Sequence, residues 1–206
     1  MKHVISLTLF LAFLLTGCAP SQMSVSVNDL QAMNPIGLYV GGSTQILDNG
    51  ESEHLDFTIH AATESISKTF EAKGYSVIQL NPQIPVGKVF DKYFGAFHIN
   101  EDTVAAVARL HGCKSFLIVY YAYTGSTYVI EDGLSVYSTC SVYGWLGYSK
   151  DADIFSSSHN ALNSYFEYKK IVKEMNPRAS ERNIYKHFLS AIANYMFETI
   201  PPNPDH

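Results

Sequence analysis

Charge is scarce in this chain. Asp, Glu, Lys and Arg make up 16% of its 206 residues, 14 basic against 19 acidic, for a formal net charge of −5. No basic residues cluster, which argues against nucleic acid and anionic lipid head groups as partners. Beyond Val4–Leu15 there is no second apolar run long enough to cross a bilayer. Internal repeats and low-complexity tracts are absent, and the length fits one domain.

Catalytic signatures are missing too. Gly41-Gly42-Ser43-Thr44 follows a strand-like run, where a phosphate loop would lie, but it lacks the P-loop lysine and the dinucleotide glycine spacing. Glycines that end a strand explain it better. No G-x-S-x-G elbow places a serine nucleophile, although the members of a triad could still assemble in space. His54, Asp56 and His60 lie close together near the start of a helix, with Asp56 and His60 able to share a face. A metal site normally adds a further ligand and outer partners, so a solvated helix start is the better reading. The chain reads as non-enzymatic, with no cofactor and no metal expected.

What is present begins at the start of the chain. Lys2 is a short positive region, and Val4–Leu15 is an apolar segment too short to span a membrane but suited to a secretory signal. It runs into Leu15-Thr16-Gly17-Cys18, which resembles the lipobox of bacterial lipoproteins. The resemblance implies cleavage before Cys18, a diacylglyceryl group on its thiol, and acylation of the new amine by a chain of the palmitate class. Two or three such chains give stable membrane anchoring. Ala19 stands where an aspartate would suggest inner-membrane retention, so the resemblance implies the periplasmic face of the outer membrane. The expected division is a signal peptide at 1–17, a lipid-anchored flexible tether at 18–35, an α/β domain at 36–200 and a tail at 201–206.

With Cys18 consumed by lipid, Cys113 and Cys140 remain. In an oxidising periplasm they form a disulfide or persist as two buried thiols, and the composition leaves both open. Strand register decides. A tight turn at Asp132-Gly133 puts Cys140 opposite Gly125, far from Cys113, whereas a turn at Gly125–Tyr128 brings the two cysteines nearly opposite each other.

Periodicity predicts a strand at Ile36–Val40 stopped by Gly41-Gly42. A helix follows, with Leu55, Ile59, Ala62, Ile66 and Phe70 on one face and Gly74 at its end, then a strand at Tyr75–Leu80. An irregular connection spans Asn81–His98. Asn100 caps a second helix whose buried stripe is Val104, Val107 and Leu110, ended by Gly112. Ser115–Thr124 is the most strand-like run in the chain, expected to be central and buried on both faces. Leu134–Tyr148 is a long alternating strand, and a short strand through Ile154 and Phe155 follows. Leu162–Glu174 is expected to be helical. Ser180 caps a last helix with Ile184, Phe188, Ile192, Tyr195 and Thr199 on one side. The fold class is α/β: a single domain with a mixed sheet, two βαβ crossovers, an antiparallel meander, and a C-terminal helix packed on the sheet.

The run from Val104 through Gly112 to Val119, a small-residue helix ended by glycine before a buried strand, is similar to a pattern of periplasmic lipoprotein-type domains. These include the TolB amino-terminal domain, the curli secretion component CsgG, and the lipoproteins that activate penicillin-binding proteins. The resemblance implies an α/β domain acting through protein contacts, and no functional residue is carried over from it.

Aromatic residues are plentiful, with 14 Tyr and 12 Phe. They crowd the central strands, where packing alone favours them. The competing reading is an exposed face formed by Tyr123, Tyr137, Tyr143, Trp145 and Tyr148. That face would suit an envelope protein partner or, as the alternative, a peptidoglycan-type glycan.

Overall fold

The computed structural model describes residues 22–46, 51–85, 88–93, 96–130, 133–168 and 194–206. Its elements in chain order begin with helix α1 (Val27–Met33), strand β1 (Ile36–Ile46), helix α2 (Glu51–Glu71) and strand β2 (Val77–Gln79). A short pair, β3 (Phe90–Tyr93) and β4 (Ala96–Ile99), precedes helix α3 (Glu101–Leu110). Three long strands follow, β5 (Ser115–Ile130), β6 (Gly133–Tyr148) and β7 (Ile154–Tyr168). They form a five-stranded mixed sheet in the order β2-β1-β5-β6-β7, with β1 parallel to both β2 and β5 and the rest antiparallel. This is the expected single α/β domain.

The crossover from β1 to β2 steps one way along the sheet and the one from β2 to β5 steps back past β1. The right-handed preference of such connections therefore calls for helices on opposite faces. The core agrees. On one face Ala62, Ile66 and Phe70 of α2 pack with Leu38, Val40, Leu117, Val119 and Val142. On the other, Val104, Ala105 and Ala108 of α3 pack with Tyr39, Phe116 and Ile118. Both helices end alike. Tyr75 N–H donates to the Phe70 carbonyl at 3.1 Å and Cys113 N–H to the Ala108 carbonyl at 2.9 Å, with Gly74 at φ +83° and Gly112 at φ +74°. These are Schellman endings, for which glycine carries no Cβ penalty. Asn100 caps α3 as expected, its side chain accepting from Thr103 N–H at 3.1 Å.

Several expectations are corrected. Gly41 and Gly42 do not stop β1. A Cβ at Gly41 would overlap the Phe90 ring, and one at Gly42 would lie 2.6 Å from the Tyr121 ring, so the glycines make room for aromatic packing inside a continuing strand. The tether is not loose from residue 22 on: Ser26 caps α1, and Met23, Leu30 and Met33 are buried. Asn81–His98 contains the β3–β4 hairpin. In α3, Leu110 is 85% exposed and the buried positions are Val104, Ala105 and Ala108, because the small alanines let the helix approach the sheet closely. Residues Leu162–Tyr168 belong to β7, paired with β6 from Cys140 back to Leu134, rather than to a helix.

Residues 169–193, including Ser180, Ile184, Phe188 and Ile192, lie outside the described residues. A helical turn at 194–197 falls within the span expected for the last helix. There Tyr195 and Thr199 are exposed, while Met196, Phe197 and Ile200 enter the core against the sheet. The tail is docked as well. Asn203 N–H donates to the Lys73 carbonyl at 2.8 Å, Lys73 Nζ to the Ile200 carbonyl at 2.6 Å, and Tyr75 Oη to the Pro201 carbonyl at 3.0 Å. No helix among the described residues is long and apolar enough to cross a membrane.

Candidate functional site

The β5–β6 ladder runs from Ser115 opposite Tyr148 to Ile130 opposite Gly133. The long-ladder reading holds, but its register differs by two residues from the expected one: Cys140 stands opposite Tyr123 rather than Gly125, eight rungs from Ser115. At about 3.4 Å per residue, that separation far exceeds the reach of a disulfide. Cys113 is a buried free thiol whose pKa is pushed up by burial, so of the two readings the sequence leaves open the structure has the unpaired one at Cys113.

Alternation along β6 turns Val142 and Leu146 to the α2 face, where both are buried, and Tyr143 and Trp145 to the α3 face, where both are half-buried. Across the ladders Tyr143 stands opposite Tyr120 on β5 and His159 on β7. The rings meet accordingly. Tyr143 stacks on His159 with centroids 4.2 Å apart and planes within 4°, and on Trp145 at 5.9 Å and 10°. The contacts continue inward through Tyr120 at 6.5 Å, from Tyr120 to Phe90 at 4.7 Å, and from Phe90 to Tyr39 at 5.9 Å. One end of this aromatic series is the fully buried Tyr39, whose phenol is pushed up to about 12 by desolvation. The other is exposed His159.

The two faces of the sheet are covered differently. On the α2 face the termini reach out over the meander. Ser156 Oγ donates to the Ser24 carbonyl at 2.6 Å, Met23 N–H donates to the Met196 carbonyl at 2.9 Å, and both methionine side chains lie over Gly144. On the α3 face, α3 and Phe90 of the hairpin cover β1 and β5. Among the described residues no helix follows over β6 and β7; of the Trp145–Tyr143–His159 stack, His159 is exposed, Tyr143 is half-buried, and Trp145 is half-buried against the α3-side core.

The five expected aromatics therefore do not make one face. Tyr143 and Trp145 come together. Tyr148 packs on Phe155 at 4.5 Å, and Phe155 belongs to the α2-side core. Tyr123 and Tyr137 are strand positions opposite Cys140 and Ser126, and their side chains lie outside the described residues. Tyr120 and Tyr121 are core. His159 was missed, and its only signal was the unread register of β7. The side chains of His54 and Asp56 and all of Cys18 lie outside the described residues, while His60 is exposed. No group of three or more His, Cys, Asp or Glu side chains among the described residues could hold a metal. What the stack offers chemically is contact area with polar tips: a phenol, an indole N–H and an imidazole.

No known protein family and no curated protein matches the chain. Solved structures do. The fold is similar to the PelC dodecamer of Paraburkholderia phytofirmans, at 12% identity and TM-score 0.38 over 84% of this chain and 95% of that one. It is similar to a lipoprotein from Neisseria meningitidis, at 15% identity and TM-score 0.42 over 78% and 96%. It is also similar to the LpoB C-terminal domain from Salmonella enterica, at 12% identity and TM-score 0.29 over 64% and 84%. Bacterial lipoproteins thus stand among the structures this chain is similar to. At these values the likeness concerns the chain trace and assigns no activity.

Proposed function

We propose that this protein is a non-enzymatic, lipid-anchored accessory component of a bacterial envelope. It sits on the periplasmic face of the outer membrane and binds another envelope protein through the aromatic stack on β6 and β7. The observation that carries the reading is the stack itself: half-buried Trp145 and Tyr143 leading out to exposed His159, on a half of the sheet that no described helix covers. Half-buried Tyr and Trp supply large rigid area at low entropic cost, as interface anchors do.

Cys18 supplies the anchor. Gln22 is four residues on from it, and Met23 is already buried in the core. The lipid therefore lies at most about 14 Å of chain from the domain, which holds the domain against the membrane rather than on a long leash. Cys18→Ala is expected to leave unprocessed precursor and abolish lipid labelling, and labelling that persists would contradict the anchor.

A protein partner is favoured over a glycan by the ring geometry. Sugar stacking needs a free aromatic face, and His159 overlaps Tyr143 at 4.2 Å. Affinity recovery from solubilised envelopes tests the reading. A discrete protein retained by the wild-type chain and lost with Trp145→Ala is the expected result. Equal recovery by both would overturn it. Fluorescence of the single tryptophan during a peptidoglycan-fragment titration decides the alternative, since saturable quenching would favour the glycan.

A further inference from the structure

A second concave site lies at the other end of the sheet, where β5 begins and β6 ends. A cavity of about 470 Å³ opens there, walled by Ala32 of α1, Cys113 and Tyr148. That volume falls within the range of small-molecule pockets, which are mostly apolar with a few placed polar groups. The placed groups here are cationic: Arg109, Lys114 and Lys150 all line the cavity, against one acid, Asp151. In a chain of net charge −5, three cations meeting at one apolar pocket make a local reversal of sign.

The scaffold around them is fixed. The Arg109 guanidinium donates to the Ser149 carbonyl and, at 3.2 Å, to that of Lys150. Ser149 Oγ donates to the Cys113 carbonyl at 2.6 Å, and Ser149 N–H to that of Lys114 at 3.0 Å. Asp151 is turned to its own loop, its Oδ1 accepting from Asp153 N–H at 3.3 Å, which leaves the lysines without a described carboxylate partner. The same turn holds Ala152 at φ +64°, a left-handed conformation that is strained for a non-glycine residue and that concentrates at functional sites.

We propose that this cavity binds a small amphiphilic anion, its apolar body against Tyr148, Ala32 and Cys113 and its phosphate or carboxylate between Lys114 and Lys150. Arg109 orients the turn that presents Lys150. The site is separate from the stack on β6 and β7 and does not depend on the function proposed for it.

The test is calorimetric titration of the mature chain, residues 18–206 purified without acyl groups, with octyl phosphate, 1-octanol and inorganic phosphate. The expected result is saturable one-to-one binding of octyl phosphate, with octanol and phosphate each at least tenfold weaker. Lys114→Glu combined with Lys150→Glu should weaken binding at least tenfold. Both lysines are exposed, so the double variant should melt as the parent does. Tyr148→Ala should weaken octyl phosphate while leaving the salt dependence unchanged. Phosphatidylglycerol vesicles then separate the sources: competition assigns the anion to a lipid head group, and its absence assigns a soluble one. No saturable binding, or binding indifferent to the lysine reversals, would overturn the proposal.

Discussion

The parallel and antiparallel halves of this sheet are built from similar residues and finished differently. In the first halves of β1 and β5 both faces are buried: Leu38 and Leu117 on one side, Tyr39 and Phe116 on the other, all at 0% exposure. In the described part of β6, Val142 and Leu146 are buried on one face while Tyr143 and Trp145 on the other are half-exposed. The cause is connectivity. A crossover helix lies over the strands it joins, whereas a meander brings no cover of its own and must borrow it. The chain termini lend cover to one face of β6 and β7, and among the described residues nothing comparable reaches the other. Aromatic residues in a strand are therefore core or surface according to which half of the sheet they occupy.

The largest contrast is in stability. Leu117→Ala, in the doubly buried half, is expected to cost about 2–5 kcal/mol, since the side chain leaves a cavity that packed neighbours cannot fill. Denaturant unfolding measures it, and a cost matching that of a surface substitution would erase the distinction between the halves. Gly41→Val comes next. Its side chain would meet Phe90, and relieving that overlap is expected to cost about 1–3 kcal/mol. A neutral result would show that the hairpin bearing Phe90 is not pressed onto β1.

Tyr39 sharpens the comparison through pH. Its buried hydroxyl has no hydrogen-bond partner among the described residues, and burial moves its pKa from 10.0 to about 12. The unfolded chain releases that proton near pH 10 while the folded chain keeps it. Stability is thus intact below pH 10 and is lost as pH rises through 12. Tyr39→Phe should shrink this alkaline loss and gain up to about 1 kcal/mol at neutral pH by removing an unpaired buried hydroxyl. A loss of stability instead would reveal a partner for the hydroxyl. The smallest expected effect on folding is at the open half. His159→Ala, at an exposed position, should change stability by no more than about 0.5 kcal/mol while weakening partner recovery.

Much of the parallel half was legible because its signals are local. Asn100 and Gly112 bracket α3, and the unbroken apolar run of Phe116–Tyr121 identifies a central strand. The misreadings share a tertiary cause. Leu162–Tyr168 carries no alternation strong enough to announce a strand, and the open edge of β6 recruits it. Met23 and α1 look polar and tether-like because their few apolar residues, Leu30 and Met33, matter only once the sheet is there to receive them. Leu110 fits the helical period, but the close approach allowed by Ala105 and Ala108 rotates it into solvent. His159 joins the stack through β-ladder register alone, which neither spacing nor composition specifies. Two of the three rings of the candidate site, Tyr143 and Trp145, were therefore visible, and the third was not.

Site-specific photo-crosslinking in cells tests the open face most directly, with the probe placed at His159 and, as a control, at Leu110, an exposed apolar position at the end of α3. A discrete crosslinked band from His159 and none from Leu110 is the expected result. Bands of equal strength from both positions, or none from His159, would contradict a partner on the open half of the sheet.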